Sequence, residues 1–240
     1  MAGRNAGRMT VGITAGVVLL GALGACGFAG TRNTDSDDTP VQGRISSVRV
    51  SSDSGAVRIR TGERAGVRRT VHYGREKPGA THHLDGDVLV IDSCPRRNCW
   101  IDYDITVPPG VRVDGAVDSG QFEAAGVAEV NLEIDSGDAT IRQVSGMVNI
   151  TAGSGAVHLA DIAAAVTVRA ESGDVSVDNA GAGVTVQADS GRITVSVPRG
   201  GYRVNTRSDS GDVESAVTVD PNGKPLDLHT DSGDIAVRYA

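Results

Sequence analysis

The chain has 240 residues, of which 39% are hydrophobic, 3% are aromatic and 32 are glycine. This composition builds a core from Val, Ile and Ala, which favours many short strands over a packed helical domain. The formal net charge is −7, and after residue 115 there are 18 acidic residues against 8 basic ones. This acidic body is excluded as a nucleic-acid-binding surface and is a poor ligand for anionic lipids, because both carry dense negative charge.

Residues 1–25 have the pattern of a signal peptide. Arg4 and Arg8 precede an apolar run over residues 11–23, which has the length of a signal h-region and is short for a bilayer span. The run ends in Leu-Gly-Ala-Cys, which resembles a bacterial lipobox and implies a lipid-modified Cys26. The alternative is an ordinary secretory signal with a chance cysteine. We expect a lipid-anchored protein on the extracytoplasmic face of the cell membrane.

Residues 26–42 are polar and are expected to form a flexible tether between the membrane and the folded domain. Downstream, Cys94 and Cys99 flank Pro-Arg-Arg-Asn, which suits a hairpin tip. If Cys26 carries lipid, the remaining cysteine count is even, and an exported chain meets an oxidising compartment. The spacing therefore predicts a Cys94–Cys99 disulfide.

Residues 43–113 are predicted to form an N-terminal β cap that contains a first coil and the disulfide loop. Longer alternating apolar segments run through this region, and the repeat described below is loose in it. A stacked repeat needs such a cap to close its exposed end. Trp100, Tyr73 and Tyr103 are expected in the core or at the rim of the cap, with a sugar-stacking platform as the alternative.

A Ser-Gly pair recurs through the rest of the chain, over residues 114–240. Two short segments with alternating apolar residues flank each pair, which is typical of strands with one buried face. From Ser119 the steps are 17, 18, 18, 18, 20 and 22 residues. An earlier pair begins at Ser54, and the pairs of this regular series begin at Ser119, Ser136, Ser154, Ser172, Ser190, Ser210 and Ser232.

This near-constant period predicts an all-β fold. We expect a parallel β-solenoid with coils of about 18 residues, because stacked coils must match in length. Right-handed winding is the default for parallel crossovers. The alternative is an antiparallel β-sandwich in which each Ser-Gly is a hairpin. The last strand, within residues 235–240, would leave an open edge that allows end-to-end self-association.

Asp135 precedes one of these pairs and forms the Asp-Ser-Gly sequence that carries the catalytic aspartate in aspartic proteases. Such an enzyme needs two facing loops whose carboxylates share a proton. Eight roughly equivalent loops indicate turns instead, so no catalytic residue is predicted. A polysaccharide-acting enzyme remains a less favoured alternative, because parallel β-helices host such activities and the fold alone does not decide function.

Stacked coils would also align carboxylates in two columns about 5 Å apart per step. A hard cation such as calcium would relieve their repulsion, so the columns are candidate calcium ligands. The alternative is a solvated face of turn residues. The candidates are Asp135, Asp189, Asp209 and Asp231 before the serine, and Asp138, Asp174, Asp212 and Asp234 after the glycine.

The repeated Asp-Ser-Gly-Asp-(Val/Ile)-x-Val and Val-Thr-Val-x-Ala segments, preceded by Asp-Ile-Thr-Val-Pro-Pro-Gly, resemble the bacterial putative-adhesin β-strand-repeat domains. The resemblance covers residues 45–240. It implies a β-solenoid, an exported or membrane-attached setting and no established catalytic residues. The leading hypothesis is a non-catalytic surface lipoprotein that presents a rigid acidic rod to an envelope polymer, a protein or another cell. A calcium- or envelope-stress-responsive module is the alternative.

Overall fold

The computed structural model describes residues 32–240, and the regular elements of this part are strands. Seven strands precede the main repeats: β1 (Asn33–Pro40), β2 (Ser47–Ser52), β3 (Ala56–Thr61), β4 (Gly66–Tyr73), β5 (His82–Asp85), β6 (Val88–Ile91) and β7 (Trp100–Val107). The repeats contain β8 (Arg112–Ala125), β9 (Glu129–Val144), β10 (Val148–Ser154), β11 (Val157–Ile162), β12 (Val166–Ser172), β13 (Val175–Asp178), β14 (Val184–Ser190), β15 (Ile193–Val197), β16 (Gly201–Ser210), β17 (Val213–Ser215), β18 (Thr218–Val219), β19 (Lys224–Ser232) and β20 (Ile235–Tyr239).

The strands pair in two layers. Each repeat gives one strand to the first layer and, after its Ser-Gly pair, one strand to the second, and the long strands β8 and β9 contribute to both. The first layer has the order β5-β6-β2-β8-β9-β10-β12-β14-β19-β16-β18. The second has the order β1-β4-β7-β3-β8-β9-β11-β13-β15-β20-β17.

Equivalent residues of successive repeats pair directly. Val148 pairs with Val166, which pairs in turn with Val184, so this register advances by 18 residues per strand. The second layer repeats the pattern, with Val157 opposite Val175. The all-β prediction is confirmed. The antiparallel sandwich is wrong for the repeats, because all pairings among β8 to β20 are parallel and no Ser-Gly pair closes a hairpin.

The core lies between the two layers and consists mainly of small aliphatic side chains. Inward positions alternate with outward ones along each strand, as in β12, where Val166, Val168 and Ala170 are buried. The largest fully buried side chains include Tyr103, which confirms its place in the core, and Phe122. Full burial of a valine side chain contributes about 1.5–3 kcal/mol, so the ladders of stacked valines stabilise the repeats without a large aromatic core.

The last two repeats depart from sequential stacking. Strand β19 lies between β14 and β16, because Leu226 pairs with Val184 on one side and with Val204 on the other. In the second layer, Ile235 of β20 pairs with Ile193 of β15 and with Val213 of β17 in the same way. The final strand is therefore an interior strand, and the expected open edge at residues 235–240 is wrong.

The open edge at this end is formed instead by β16, by the two-residue strand β18 that pairs with the start of β16, and by β17, where Val213 remains 44% exposed. The sequence Pro198-Arg199-Gly200-Gly201 interrupts the alternating pattern after β15. Proline cannot donate a ladder hydrogen bond and glycine weakens a strand, so the chain leaves the stack here. It forms the outer strands first in chain order and then returns to fill the position beside β14 and β15.

The flexible tether predicted for residues 26–42 is wrong for residues 33–40, which form β1 and pair antiparallel with β4. The physical reason is charge complementarity, because Asp37 meets Arg69 at 2.7 Å and Asp38 meets Arg68 at 3.0 Å. The hydrogen bond from Arg69 holds the pKa of the Asp37 carboxyl below its usual value. Residues 32–240 belong to one compact unit. Within residues 32–240 no helix is long and apolar enough to span a membrane.

Candidate functional site

One corner of the stacked repeats carries a column of exposed carboxylates. The serines of the Ser-Gly pairs stand opposite one another from strand to strand, so the residue before each serine is aligned as well. In spatial order this column, called the acidic corner below, contains Asp118, Asp135, Glu171, Asp189, Asp231 and Asp209, with Gly153 between the second and third carboxylates.

Stacked glycines build this corner. Gly137, Gly155 and Gly173 have φ values of +145°, +116° and +126°, a region that side chains with a Cβ rarely adopt. A Cβ added at Gly173 would also contact the carbonyl oxygen of Gly155 in the neighbouring turn. The Asp-Ser-Gly sequence at Asp135 is therefore a structural turn, as the repeat predicts.

Two members of the acidic corner have a cationic partner. Asp209 pairs with Arg207 at 2.8 Å, and Asp231 lies 3.1 Å from the imidazole of His229. For the other four carboxylates, no Lys, Arg or His nitrogen of residues 32–240 lies within 4.0 Å. Their charges are exposed and uncompensated, so the corner is a linear concentration of negative potential.

The aspartates after the glycine have a different role. Asp138 accepts a hydrogen bond from the backbone N–H of Ala156 at 2.9 Å, and Asp174 accepts one from Arg192 at 2.9 Å. Asp234 accepts one from Asp212 at 3.1 Å. Each of these carboxylates caps a backbone donor in the neighbouring repeat. Charged hydrogen bonds of this kind typically contribute more than neutral ones.

The geometry therefore separates the eight calcium candidates into two groups. The first group belongs to the acidic corner: Asp135, Asp189, Asp209 and Asp231. The second group caps backbone N–H groups through its carboxylates: Asp138, Asp174 and Asp234. Asp212 donates the backbone N–H that Asp234 caps. In the described part of the chain, no group of three or more Asp, Glu, His or Cys side chains is placed to hold a metal ion. Calcium binding stays a prediction, without a preformed site among these residues.

A second corner was not anticipated from the sequence. Gln143, Asp161 and Asn179 lie 18 residues apart with φ near +57°, in the left-handed region. The Asn179 side-chain amide donates to the Asp161 carboxylate at 2.6 Å. Asn and Asp tolerate this conformation better than most residues. The 18-residue spacing of Asp161 and Asn179 was therefore the sequence signal that could have predicted this corner.

The predicted Cys94–Cys99 disulfide is present, with its Cα atoms 5.9 Å apart. Next to it, Trp100 stacks on the imidazole of His72 with ring centroids 4.6 Å apart, and the Arg32 guanidinium lies 5.4 Å from the Trp100 ring centre. Trp100 is partly buried at the rim, as predicted. Cys26, the predicted lipidation site, lies outside the described residues, and its modification stays a prediction.

The model of the Toastrack DUF4097 family matches residues 42–238, which is most of the chain. The chain belongs to this family. The resemblance to putative-adhesin repeat domains of unknown function is thereby confirmed. No curated protein matches the chain.

Solved structures with similarity to the chain include three bacterial proteins. A putative cell adhesion protein from Clostridium sporogenes is 12% identical with a TM-score of 0.44, and covers 87% of this chain and 100% of its own. A putative adhesin from Bacteroides fragilis is 12% identical with a TM-score of 0.47, covering 88% and 99%. A putative adhesin from Parabacteroides distasonis is 14% identical with a TM-score of 0.28, covering 88% and 98%.

Proposed function

We propose that this protein is a non-catalytic surface lipoprotein, anchored through Cys26 on the extracytoplasmic face of the membrane. Its repeats form a rigid, right-handed solenoid body of about 18 residues per coil, which presents the acidic corner to a cationic component of the envelope or to a basic protein. Adhesion to another cell through the same surface is the broader form of this function.

The alignment of the acidic corner is the observation that carries this proposal. Neighbouring strands are about 4.8 Å apart, so a column that crosses seven strands spans roughly 29 Å. Carboxylates at this spacing repel one another, which raises the potential that a cationic partner would neutralise. Because every residue of the column sits on a hydrogen-bonded strand or its turn, the backbone positions that carry the charges are fixed before any partner binds.

The same alignment argues against catalysis at this corner. Glycoside hydrolases place two carboxyl groups on either side of the bond that they cleave. The acidic corner instead runs as a single file along one edge of the stack, with Arg142 and Arg169 set apart on the outer faces of β9 and β12. The arrangement suits a binding surface for an extended or multivalent cationic partner.

Envelope binding can be measured by co-sedimentation. Residues 31–240 would be mixed with washed envelopes from the source organism at increasing salt, with calcium or with a chelator. Saturable binding that weakens as salt rises supports the proposal, because screening acts on exposed charges. Absence of binding, or binding that salt does not change, contradicts it. Loss of binding with chelator alone would favour the calcium-responsive alternative.

The membrane anchor requires a separate test on the full chain. Cells that express the protein would be labelled with a fatty acid and fractionated, alongside the variant Cys26→Ser. Label on the wild-type chain and its absence on the variant support lipidation. Equal labelling of both chains, or none on either, contradicts it.

A further inference from the structure

A basic cleft lies in the cap, within residues 43–113. It has a volume of about 700 Å³, and it is lined by residues 73–76 on one side and by the disulfide loop, residues 96–99, on the other. Three arginines of this lining are exposed to solvent: Arg75, Arg96 and Arg97.

The charge of the cleft is positive. Glu76 is the one acidic residue in its lining, and Arg96 pairs with it at 3.1 Å. For Arg75 and Arg97, no carboxylate oxygen among residues 32–240 lies within 4.0 Å. Two guanidinium groups are therefore free to bind an anion, and the net charge of the lining is opposite to that of the repeats.

The cleft is held in shape by local structure. The Cys94–Cys99 disulfide closes the loop that carries Arg96 and Arg97. The opposite rim is fixed to β1, because the Asn33 side-chain amide donates to the Gly74 carbonyl oxygen at 2.6 Å. Arginines on a closed loop lose less conformational freedom when they bind a ligand than arginines on an open one.

Aromatic groups border the arginines. Tyr73 lines the cleft, and Trp100 directly follows Cys99 of the lining. Arg32 covers one face of Trp100 while His72 stacks on its ring. Trp and Tyr beside basic residues are the side chains enriched at the interface between lipid and water.

The cleft is close in sequence to the predicted lipid anchor, and this closeness indicates that its ligand is a membrane lipid. Arg32, which packs on Trp100 next to the cleft, is six residues after Cys26. Six residues span at most about 20 Å, so a lipid on Cys26 would keep the cleft within that distance of the bilayer. A weak site is sufficient at this distance, because tethering raises its effective concentration at the surface.

We infer that the basic cleft binds the anionic headgroups of membrane phospholipids and so fixes the orientation of the domain on the bilayer. The unpaired guanidinium groups of Arg75 and Arg97 contact the lipid phosphates, Arg96 offsets the charge of Glu76 beside them, and Trp100 lies at the headgroup level. This inference rests on the proposed membrane attachment, but its test does not need the lipid anchor.

The test uses unlipidated residues 31–240 and vesicles of phosphatidylcholine, with or without phosphatidylglycerol. Sedimentation gives the partition coefficient. Trp100, the single tryptophan of the chain, reports contact through quenching by lipids with nitroxide-labelled headgroups. We expect binding and quenching with phosphatidylglycerol vesicles at low salt and neither with phosphatidylcholine alone.

Two charge-matched variants make the test specific. The cleft variant replaces Arg75, Arg96 and Arg97 with Gln, and the control replaces the exposed Arg142, Arg169 and Arg203 with Gln. An arginine near an anionic membrane contributes about a fivefold gain in partitioning, so the cleft variant should lose roughly a hundredfold and the control little. Equal losses in both variants, or wild-type binding that does not depend on phosphatidylglycerol, would overturn the inference. Circular dichroism melting of each variant excludes unfolding as the cause.

Discussion

Replacement of Gly173 by alanine should separate the repeats at the acidic corner. The residue has a φ of +126°, and an added Cβ would contact the carbonyl oxygen of Gly155 and lie 2.7 Å from its carbonyl carbon. Relief of this contact requires the two turns to move apart. That movement breaks the hydrogen bond from the Gly155 N–H to the Ser172 carbonyl oxygen, which measures 3.2 Å.

The magnitude follows from these two contributions. A backbone conformation that side chains rarely adopt costs on the order of 1–3 kcal/mol, and a lost backbone hydrogen bond costs about 1 kcal/mol more. We therefore expect Gly173→Ala to lower the free energy of unfolding by about 3 kcal/mol. For a domain of this size, the melting temperature should fall by roughly 6–12 °C.

A matched control isolates the stacking contribution. Gly86 also has a positive φ, +61°, but a Cβ there would meet no atom within 4 Å. Gly86→Ala should lower the free energy of unfolding by about 1 kcal/mol, from backbone conformation alone. Guanidinium denaturation and thermal melting of both variants would be compared. Equal destabilisation would refute the role assigned to glycine stacking.

Three further perturbations test other parts of the structure. Asp174→Ala removes the cap on a neighbouring backbone N–H, so it should lower the free energy of unfolding by about 1–2 kcal/mol in denaturant melts, whereas Asp189→Ala at the acidic corner should change it by less than about 0.5 kcal/mol. Burial raises the pKa of Tyr103 to about 12. The Tyr103 hydroxyl ionises near pH 10 in the unfolded chain but stays protonated in the folded one, so the free energy of unfolding should decline between pH 10 and 12 by up to about 2–3 kcal/mol. Denaturant melts at pH 9 and 11 should show a smaller decline for Tyr103→Phe than for wild type. Replacement of Cys94 and Cys99 by Ala opens a six-residue loop and should cost about 2 kcal/mol, measured against the oxidised wild type; an unchanged melting curve would contradict a structural role.

The stacked register of the central repeats could be predicted from the sequence. The positions of Val148, Val166 and Val184 follow from an 18-residue period, because a shift by one residue would place valines in solvent. The turn at Asp135 follows from its equivalence to the other Ser-Gly pairs. The disulfide was predicted from the cysteine count together with the predicted export of the chain.

The order of the last strands could not be predicted in the same way. Strands β14, β16 and β19 share one alternating pattern of apolar residues. Leu226 of β19 would therefore be buried equally well whether β16 or β19 were the strand that pairs with β14. The wider Ser-Gly spacing after Ser190 shows that stacking changes, but it does not say which strand moves outward. Strand β1 was missed because its stability comes from ion pairs with β4, which are distant in the sequence and invisible to local periodicity.

The central claim, that the acidic corner binds a cationic envelope partner, is tested most directly by two variants of residues 31–240 with equal net charge. The corner variant replaces three carboxylates of the acidic corner with amides: Asp118, Asp135 and Asp189. The control variant replaces three exposed carboxylates elsewhere with amides: Glu63, Asp85 and Glu214. An exposed charge contributes about 0.5 kcal/mol, so the loss of three charges costs about 1.4 kcal/mol, and the corner variant should bind washed envelopes about tenfold more weakly than wild type. The control should bind like wild type. Equal binding of the two variants would contradict the assignment of the binding surface to this corner.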